Sequence, residues 1–225
     1  APQKRRSIKT FVQRHSKGII REAVLREFKR GGQVYFVHNR IKTIDALAAR
    51  MRELVPEARF TVAHGQMPSS RLERVMVDFA AGEAEVLVCT AIIENGMDLP
   101  NVNTLIADEC WMFGLSQLYQ LRGRVGRSSV QSFCYFLIPK NYCLSSSARK
   151  RLDVFVYKLA KLSQIDRELS VYEGMIEDIE SEVDKGTVST DRADDSVDIL
   201  RKHDIAATTQ RKYEMLKSLD GYERF

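Results

Sequence analysis

Three absences narrow the classes of protein to which this sequence can belong. No run of apolar residues approaches the ~20 residues that a membrane-spanning helix needs, and no secretory-type apolar stretch opens the chain. The four cysteines form no C-x-x-C pair, and no His, Cys and Asp spacing suggests a set of metal ligands. The phosphate-cradling loop G-x-x-x-x-G-K-[ST] is also missing. We therefore expect a soluble, cytoplasmic protein with reduced thiols, no metal site and no membrane partner.

Charge is present in quantity but is unevenly distributed along the chain. The net charge is +5, yet residues 163–225 hold 16 acidic and 9 basic residues, a net −7, so the first 162 residues carry about +12. A basic body suggests a polyanionic partner, whereas an acidic C-terminal part does not. The chain starts at Ala1 rather than methionine, which we expect of a fragment or a processed product.

Strand-like and helix-like patterns alternate over residues 17–139. Short runs rich in β-branched and aromatic residues predict strands at 33–37, 59–63, 86–89, 102–107 and 133–138. Apolar residues at helical spacing predict helices at 17–29, 44–55 and about 115–121, and a further helix opened by the capping box Ser70-x-x-Glu73. Because VLVC (86–89) is continuously apolar, a mainly parallel sheet with both faces covered is expected.

The chain is predicted to have three parts. Residues 1–16 are basic and weakly patterned, which indicates a linker or docking arm. Residues 17–144 form the α/β lobe, and residues 145–225 form a helical, acidic extension in which we see no chemistry. Helices are predicted there at 148–162, 165–183 and 198–219, with an exposed or flexible loop at 185–196.

Polar segments directly follow three of the predicted strands. They are His38-Asn39-Arg40, His64-Gly65-Gln66 and the loop over residues 90–100. In parallel sheets, ligands bind beyond the carboxyl ends of the strands, so these segments are expected to share one edge. For either histidine alone, a hydrogen-bonded structural role is the favoured interpretation.

The segment QLRGRVGR, residues 120–127, carries two arginines threaded through glycines. A guanidinium is always charged and matches phosphate oxygens with a planar fork of donors, and Gly123 and Gly126 permit close approach of a ligand. The alternative is a helix end whose arginines lie near the last carbonyls. We expect Arg124 and Arg127 to lie at the same sheet edge as the polar loops.

The order of these segments resembles that of a known family. GGQVYFVHNR, FTVAHGQM, VLVCTAIIENGMDLPNVNTLIADE and FGLSQLYQLRGRVGRS are similar to the second RecA-like lobe of superfamily 2 helicases and translocases. The details resemble the transcription-repair coupling factors most and RecG helicases next, and RRSIKTFVQRH resembles the inter-lobe segment of the coupling factors. The resemblance covers roughly residues 1–152 and implies a RecA-like three-layer lobe.

The resemblance also implies roles for individual residues. The family's motif VI, whose arginines act as fingers on ATP phosphates, is matched by Gln120, Gly123, Arg124 and Arg127. Motif V, which couples ATP to DNA, is matched by Thr90 and Glu94 on the DNA side and by Gly96 and Asp98 on the ATP side. Contacts to the DNA backbone are implied for His38, Asn39, Arg40, His64, Gly65 and Gln66. The alternative to these roles is a purely structural one, in which Gly96 supplies a turn with positive φ and Asp98 caps the chain before Pro100.

The function implied is that of one half of an ATP-dependent motor on double-stranded DNA. Its partners would be an N-terminal RecA-like lobe that holds most of the ATP and Mg²⁺, RNA polymerase and nucleotide-excision-repair proteins. Because the phosphate loop is missing, the isolated chain is expected to be inactive. Asp108-Glu109-Cys110-Trp111 is superficially similar to a DExx box, but without that loop we reject it as the Walker B site.

Two other functions stay open from the sequence. One is the corresponding lobe of a RecG-like fork-remodelling helicase. The other is a truncated, non-catalytic module that binds DNA or a protein. This last interpretation is favoured by the acidic helices after about Leu152, which lack the family's translocation (TRG) motif.

Overall fold

A computed structural model describes residues 6–91, 99–139, 144–186 and 189–220. The chain divides into two compact units, Ala1–Asp153 and Val154–Phe225.

The first unit is built on a six-stranded sheet in the order β1-β6-β5-β2-β4-β3, and all its neighbouring strands are parallel. The strands are β1 (Lys9–Arg14), β2 (Gln33–Val37), β3 (Phe60–Ala63), β4 (Val86–Cys89), β5 (Val102–Ala107) and β6 (Phe133–Ile138). The predicted parallel sheet and its five predicted strands are confirmed. Strands β2, β4 and β5 are buried along their whole length, as expected of strands covered on both faces.

Strand β1 was not predicted from the sequence. It lies at one edge of the sheet, beside β6, and its residues are at best half-buried. Its pattern is obscured by polar and basic residues, which edge strands commonly carry because they limit pairing with other chains. The segment expected to be only an arm therefore contributes a strand to the lobe.

Helices cover both faces of the sheet, so the lobe has three layers: helices, sheet and helices. They are α1 (Lys17–Lys29), α2 (Ile41–Leu54), α3 (Ser69–Ala80) and α4 (Leu115–Arg122). Helices α1 and α2 share a core with alternate residues of the strands, among them Phe36 and Val88. On the opposite face, the rings of Phe79 in α3 and Tyr35 in β2 lie 5.9 Å apart.

One local prediction was wrong. Helix α3 begins at Ser69, after Pro68 at the N-cap position, and no side-chain hydrogen bond caps it. Ser70 therefore lies inside the first turn and does not form the capping box with Glu73. Pro68 fixes the entry because its ring sets φ before the helix and leaves no donor to satisfy.

The second unit is an antiparallel pair of helical arms. Helix α5 (Ser146–Asp184) continues into this unit without the break predicted near residue 163, and α6 (Thr190–Ile199), a π-helical turn (Leu200–Ile205) and α7 (Ala206–Asp220) form the other arm. The arms are joined by the ion pairs Arg201–Glu180, Arg211–Glu168 and Lys212–Asp166, at 3.5, 2.8 and 2.5 Å. The residue number in one arm rises as that of its partner in the other arm falls, so the two arms run antiparallel.

The exposed loop predicted at 185–196 is also wrong in part, because residues 190–196 are helical. Ala193 and Val197, four residues apart, are buried, and this narrow apolar stripe was hidden among charged neighbours. None of the described helices is long and apolar enough to cross a membrane.

Candidate functional site

The carboxyl ends of four neighbouring strands bring polar residues into one row. Backbone hydrogen bonds fix the row: Asp108 N donates to Val37 O (2.9 Å), His38 N to Cys89 O (2.8 Å) and Thr90 N to Ala63 O (3.3 Å). Asp108, His38, Thr90 and His64 thus follow β5, β2, β4 and β3 in spatial order. The expected convergence of the three polar loops therefore holds for the residues with which each loop begins.

His38 is buried and held on both sides of its ring. Its Nδ1 lies 3.0 Å from Asp108 Oδ2, and its Nε2 lies 2.8 Å from Thr43 Oγ1. Both ring nitrogens thus have partners inside the protein. Its neighbours Asn39 and Arg40 are exposed, and they present the polar surface of this loop.

A pocket of about 400 Å³ opens beside His38 at this edge. Arg40 lies at its rim with Nε 2.5 Å from Glu109 Oε2, so its charge already has an acidic partner. Trp111, His15 and Arg50 also line the pocket. Sequence reasoning missed Asp108, Glu109 and His15 as members of this site. Asp108 and Glu109 directly follow a predicted strand, so the rule used for His38 would have found them, whereas His15 follows β1, which was not predicted.

A second pocket, of about 410 Å³, lies beside His64 and Gln66. Arg52, Arg71 and one acidic residue, Asp45, line it, so the basic side chains are in excess. Gly65 and Gln66 are exposed, whereas His64 is half-buried and its Nδ1 has no hydrogen-bond partner within the described structure.

The motif V segment is only partly described. Thr90 is buried directly after β4. Beyond Ala91 the chain is next described at Leu99, whose carbonyl accepts a hydrogen bond from Val102 N at 3.1 Å. Glu94, Gly96 and Asp98 lie outside the described residues. The segment therefore starts at the carboxyl edge and ends at the amino edge, where β5 begins.

The arginine segment lies away from the row of polar loops. Ser128 Oγ donates to Asn103 Oδ1 at 2.8 Å, and Asn103 is the second residue of β5. Arg122 Nε donates to Thr10 Oγ1 at 3.1 Å, and Thr10 is the second residue of β1. These contacts place the end of the segment at the amino edge of the sheet.

The expectation that the arginines share the edge of the polar loops is therefore wrong. The physical reason is the parallel sheet itself: a connection between parallel strands must cross from the carboxyl end of one to the amino end of the next. Helix α4 makes that crossing between β5 and β6. The segment's exposed residues are Gln120, Gly123 and Arg127, while Arg124 is half-buried.

The remaining polar groups offer no metal site or reactive thiol in the described part of the chain. No group of three or more His, Cys, Asp or Glu side chains there could hold a metal ion. Cys89, Cys110 and Cys134 are free and buried, which confirms the expected buried thiols at Cys89 and Cys134. Burial also raises the pKa of Tyr119, next to Gln120, to about 12, so its phenol stays protonated.

A three-layer lobe with a wholly parallel sheet, polar loops at one edge and an R-x-x-R segment at the other belongs to a defined class. Residues 16–129 match the helicase conserved C-terminal domain family, and the chain belongs to that family. The transcription-repair-coupling factor of Escherichia coli (strain K12) is 49% identical over 152 residues, and that of Myxococcus xanthus is 46% identical over 153 residues. Each match covers 68% of this chain but only 13% of the relative.

Among solved structures, RecG bound to a three-way DNA junction is similar to this lobe. The TM-score is 0.58 at 31% sequence identity, and the match covers 68% of this chain and 21% of that one. Together with the family match, this likeness confirms the predicted RecA-like lobe and its resemblance to coupling-factor and RecG helicases. The chain spans about an eighth of the length of the coupling factors it matches.

Proposed function

We propose that this chain is the C-terminal motor lobe of an ATP-dependent translocase on double-stranded DNA, similar to the transcription-repair-coupling factors. The observation that carries the proposal is the 46–49% identity to such factors over about 150 residues. A complete motor would also contain an N-terminal RecA-like lobe, would work in the cytoplasm and would act on RNA polymerase and excision-repair proteins.

In this proposal Arg124 and Arg127 are the catalytic residues, and Gln120 and Gly123 complete the ATP-facing segment. Phosphoryl transfer concentrates charge on the transferring oxygens, and a guanidinium placed against them stabilises the transition state. The exposure of Arg127, Gln120 and Gly123 supports this role because a second lobe can reach them. Gly96 and Asp98 are proposed to face the same nucleotide.

The DNA contacts are proposed at the opposite edge, where Asn39, Arg40, Gly65 and Gln66 are exposed. Contacts from such loops to phosphates are independent of base sequence, as a translocase requires. His38 supports its loop through Asp108 and Thr43, while His64, Thr90 and Glu94 complete the proposed DNA set. DNA and ATP then occupy separate edges of one lobe.

Motif V is the proposed link between the two edges, since it begins at Thr90 and ends at Leu99. The Mg²⁺ that accompanies ATP is proposed to be held mainly by the first lobe, as the resemblance to two-lobe motors implies. Because the phosphate-cradling loop is missing from the sequence, the isolated chain is proposed to supply only half of a composite ATP site and should not hydrolyse ATP.

A RecG-like fork-remodelling helicase is the second candidate, favoured by the likeness to the DNA-bound RecG structure. Two assays on the complete protein separate the candidates: displacement of a stalled RNA polymerase and regression of a model replication fork. Polymerase displacement without fork regression supports the coupling-factor proposal, and the reverse result overturns it. If neither occurs and no ATP is hydrolysed, the chain is a non-catalytic binding module, the interpretation that its acidic helical unit favours.

A further inference from the structure

Four contacts join the start of strand β1 to the arginine segment, residues 120–127, and to the residues that follow it. Besides the Arg122–Thr10 hydrogen bond, Gln131 Nε2 donates to Ser7 O at 2.7 Å, and Lys9 N donates to Ser132 O at 3.0 Å. The fourth is the contact of Ile8 with Gly126. Residues 7–10 thus contact the segment at Arg122 and Gly126 and the chain just after it at Gln131 and Ser132, and we call residues 7–10 the β1 clamp.

The contact at Gly126 leaves no freedom for a side chain. Gly126 has φ +85, which favours glycine, and a Cβ there would lie 2.8 Å from Ile8 Cγ1 and 3.0 Å from Ile8 Cδ1. The Ile8 side chain therefore fills the space beside the backbone that directly precedes Arg127. A shift of Ile8 would open that space and release the turn.

The hydroxyl of Thr10 connects two of the contact points. It donates its single proton to Ile8 O at 3.3 Å and accepts the hydrogen bond from Arg122 Nε at 3.1 Å. A hydroxyl has one donor and two acceptor positions, so both bonds form at the same time. Thr10 thereby fixes Ile8 and Arg122, the last residue of α4. Arg122 lies two residues before Arg124. Ile8 contacts Gly126, which directly precedes Arg127.

From this geometry we infer that Ile8 and Thr10 are positioning residues that set the placement of Arg124 and Arg127. The inference rests on the proposed function for those two arginines. A displacement of about 1 Å from the productive geometry can lower a reaction rate about a hundredfold, so a clamp on such a segment controls turnover without touching ATP. The β1 clamp acts on kcat, because arginine fingers stabilise the transition state more strongly than they stabilise the bound ground state of ATP.

The first test uses the 225-residue chain and needs no ATP. Thr10→Val removes both hydrogen bonds of the hydroxyl and should speed amide hydrogen exchange at residues 123–132 severalfold, whereas Thr10→Ser should keep it near the starting value. Thr208→Val is the matched control, since Thr208 Oγ1 also accepts from an arginine, Arg211, at 2.9 Å, but in the helical unit. Unchanged exchange at residues 123–132 in Thr10→Val would overturn the inference.

The second test measures ATP turnover in the complete two-lobe motor. Thr10→Val should lower kcat at least about tenfold, with KM for ATP and DNA affinity within about twofold, and Thr10→Ser should restore kcat. An unchanged kcat in a motor that Arg127→Ala inactivates would overturn the β1 clamp alone. If Arg127→Ala leaves turnover normal, the proposed function of the arginines fails, while the exchange measurement still decides whether the clamp holds the segment.

Discussion

A buried ion pair between α1 and the sheet gives the sharpest stability prediction. Glu27 is fully buried, and Arg30 contacts it with Nη2 at 2.5 Å and Nε at 3.0 Å. Thr104 in β5 donates its hydroxyl to the same carboxylate at 2.5 Å. The carboxylate therefore joins the last turn of α1 to the central part of the sheet, and three hydrogen bonds satisfy it.

The magnitude follows from what each substitution leaves behind. Arg30→Ala strands a buried carboxylate, which costs about 3–5 kcal/mol, and the lower end is expected because a quarter of the Arg30 side chain is exposed. Glu27→Gln keeps the shape and most hydrogen bonds but removes the charge, so about 1.5–3 kcal/mol is expected. The double variant should lower the free energy of unfolding by clearly less than the sum of the two single effects. Once Glu27 is replaced by neutral glutamine, Arg30 has no carboxylate with which to form an ion pair.

Urea unfolding followed by the fluorescence of Trp111 is a suitable assay. Trp111 is the single tryptophan of the chain and belongs to the first unit, so its signal reports on the lobe. Arg21→Ala is the matched control on the same helix, since the Arg21–Glu57 pair is exposed at 2.6 Å and its loss should be barely measurable. Strict additivity of the two substitutions, or an effect of Arg30→Ala no larger than that of Arg21→Ala, would refute the reasoning.

Three further predictions concern the proposed surfaces and the thiols. In the complete motor, Arg124→Ala or Arg127→Ala should lower ATP turnover by about 10³-fold or more and leave DNA binding intact; near-normal turnover in both would remove the finger assignment. In the 225-residue chain, Arg40→Ala should weaken binding to duplex DNA of any sequence and reduce by about 1 the slope of log binding constant against log salt concentration. Arg59→Ala, at the amino edge, should have neither effect. Equal effects of the two substitutions would contradict a DNA surface at the carboxyl edge. Burial raises the pKa of Cys110 to about 12 and the pKa of Cys89 and Cys134 above the usual range of a thiol. At pH 8 these three thiols should therefore resist alkylation until the chain unfolds. Rapid alkylation of any of them in the folded chain would contradict their burial.

Much of the lobe could be predicted from the sequence because its strands are short, apolar and bounded by polar residues. VLVC at Val86–Cys89 is an example: its four residues have no polar face, a pattern typical of a parallel strand that is covered on both sides. Strand β1 escaped the same reasoning because Lys9 and Arg14 mask its alternation and because its pairing with β6 joins segments more than 120 residues apart. Such pairing is a property of the tertiary structure.

The candidate site was predictable in part for related reasons. The polar residues after strands were found because a parallel sheet assigns all carboxyl ends to one edge. The predicted position of Arg127 was wrong because a sequence motif does not show how far a connecting helix carries the chain across the sheet. The hydrogen bonds of His38 with Asp108 and Thr43 depend on the neighbouring strand and the following helix, which residue spacing alone does not reveal.

The ATP turnover of the chain with and without its partner lobe tests the central claim most directly. The purified 225-residue chain, assayed with saturating ATP, Mg²⁺ and duplex DNA, should show no turnover above background. The complete two-lobe protein should show DNA-stimulated hydrolysis that Arg127→Ala abolishes. DNA-stimulated hydrolysis by the isolated chain would contradict the claim that it supplies one half of a composite ATP site.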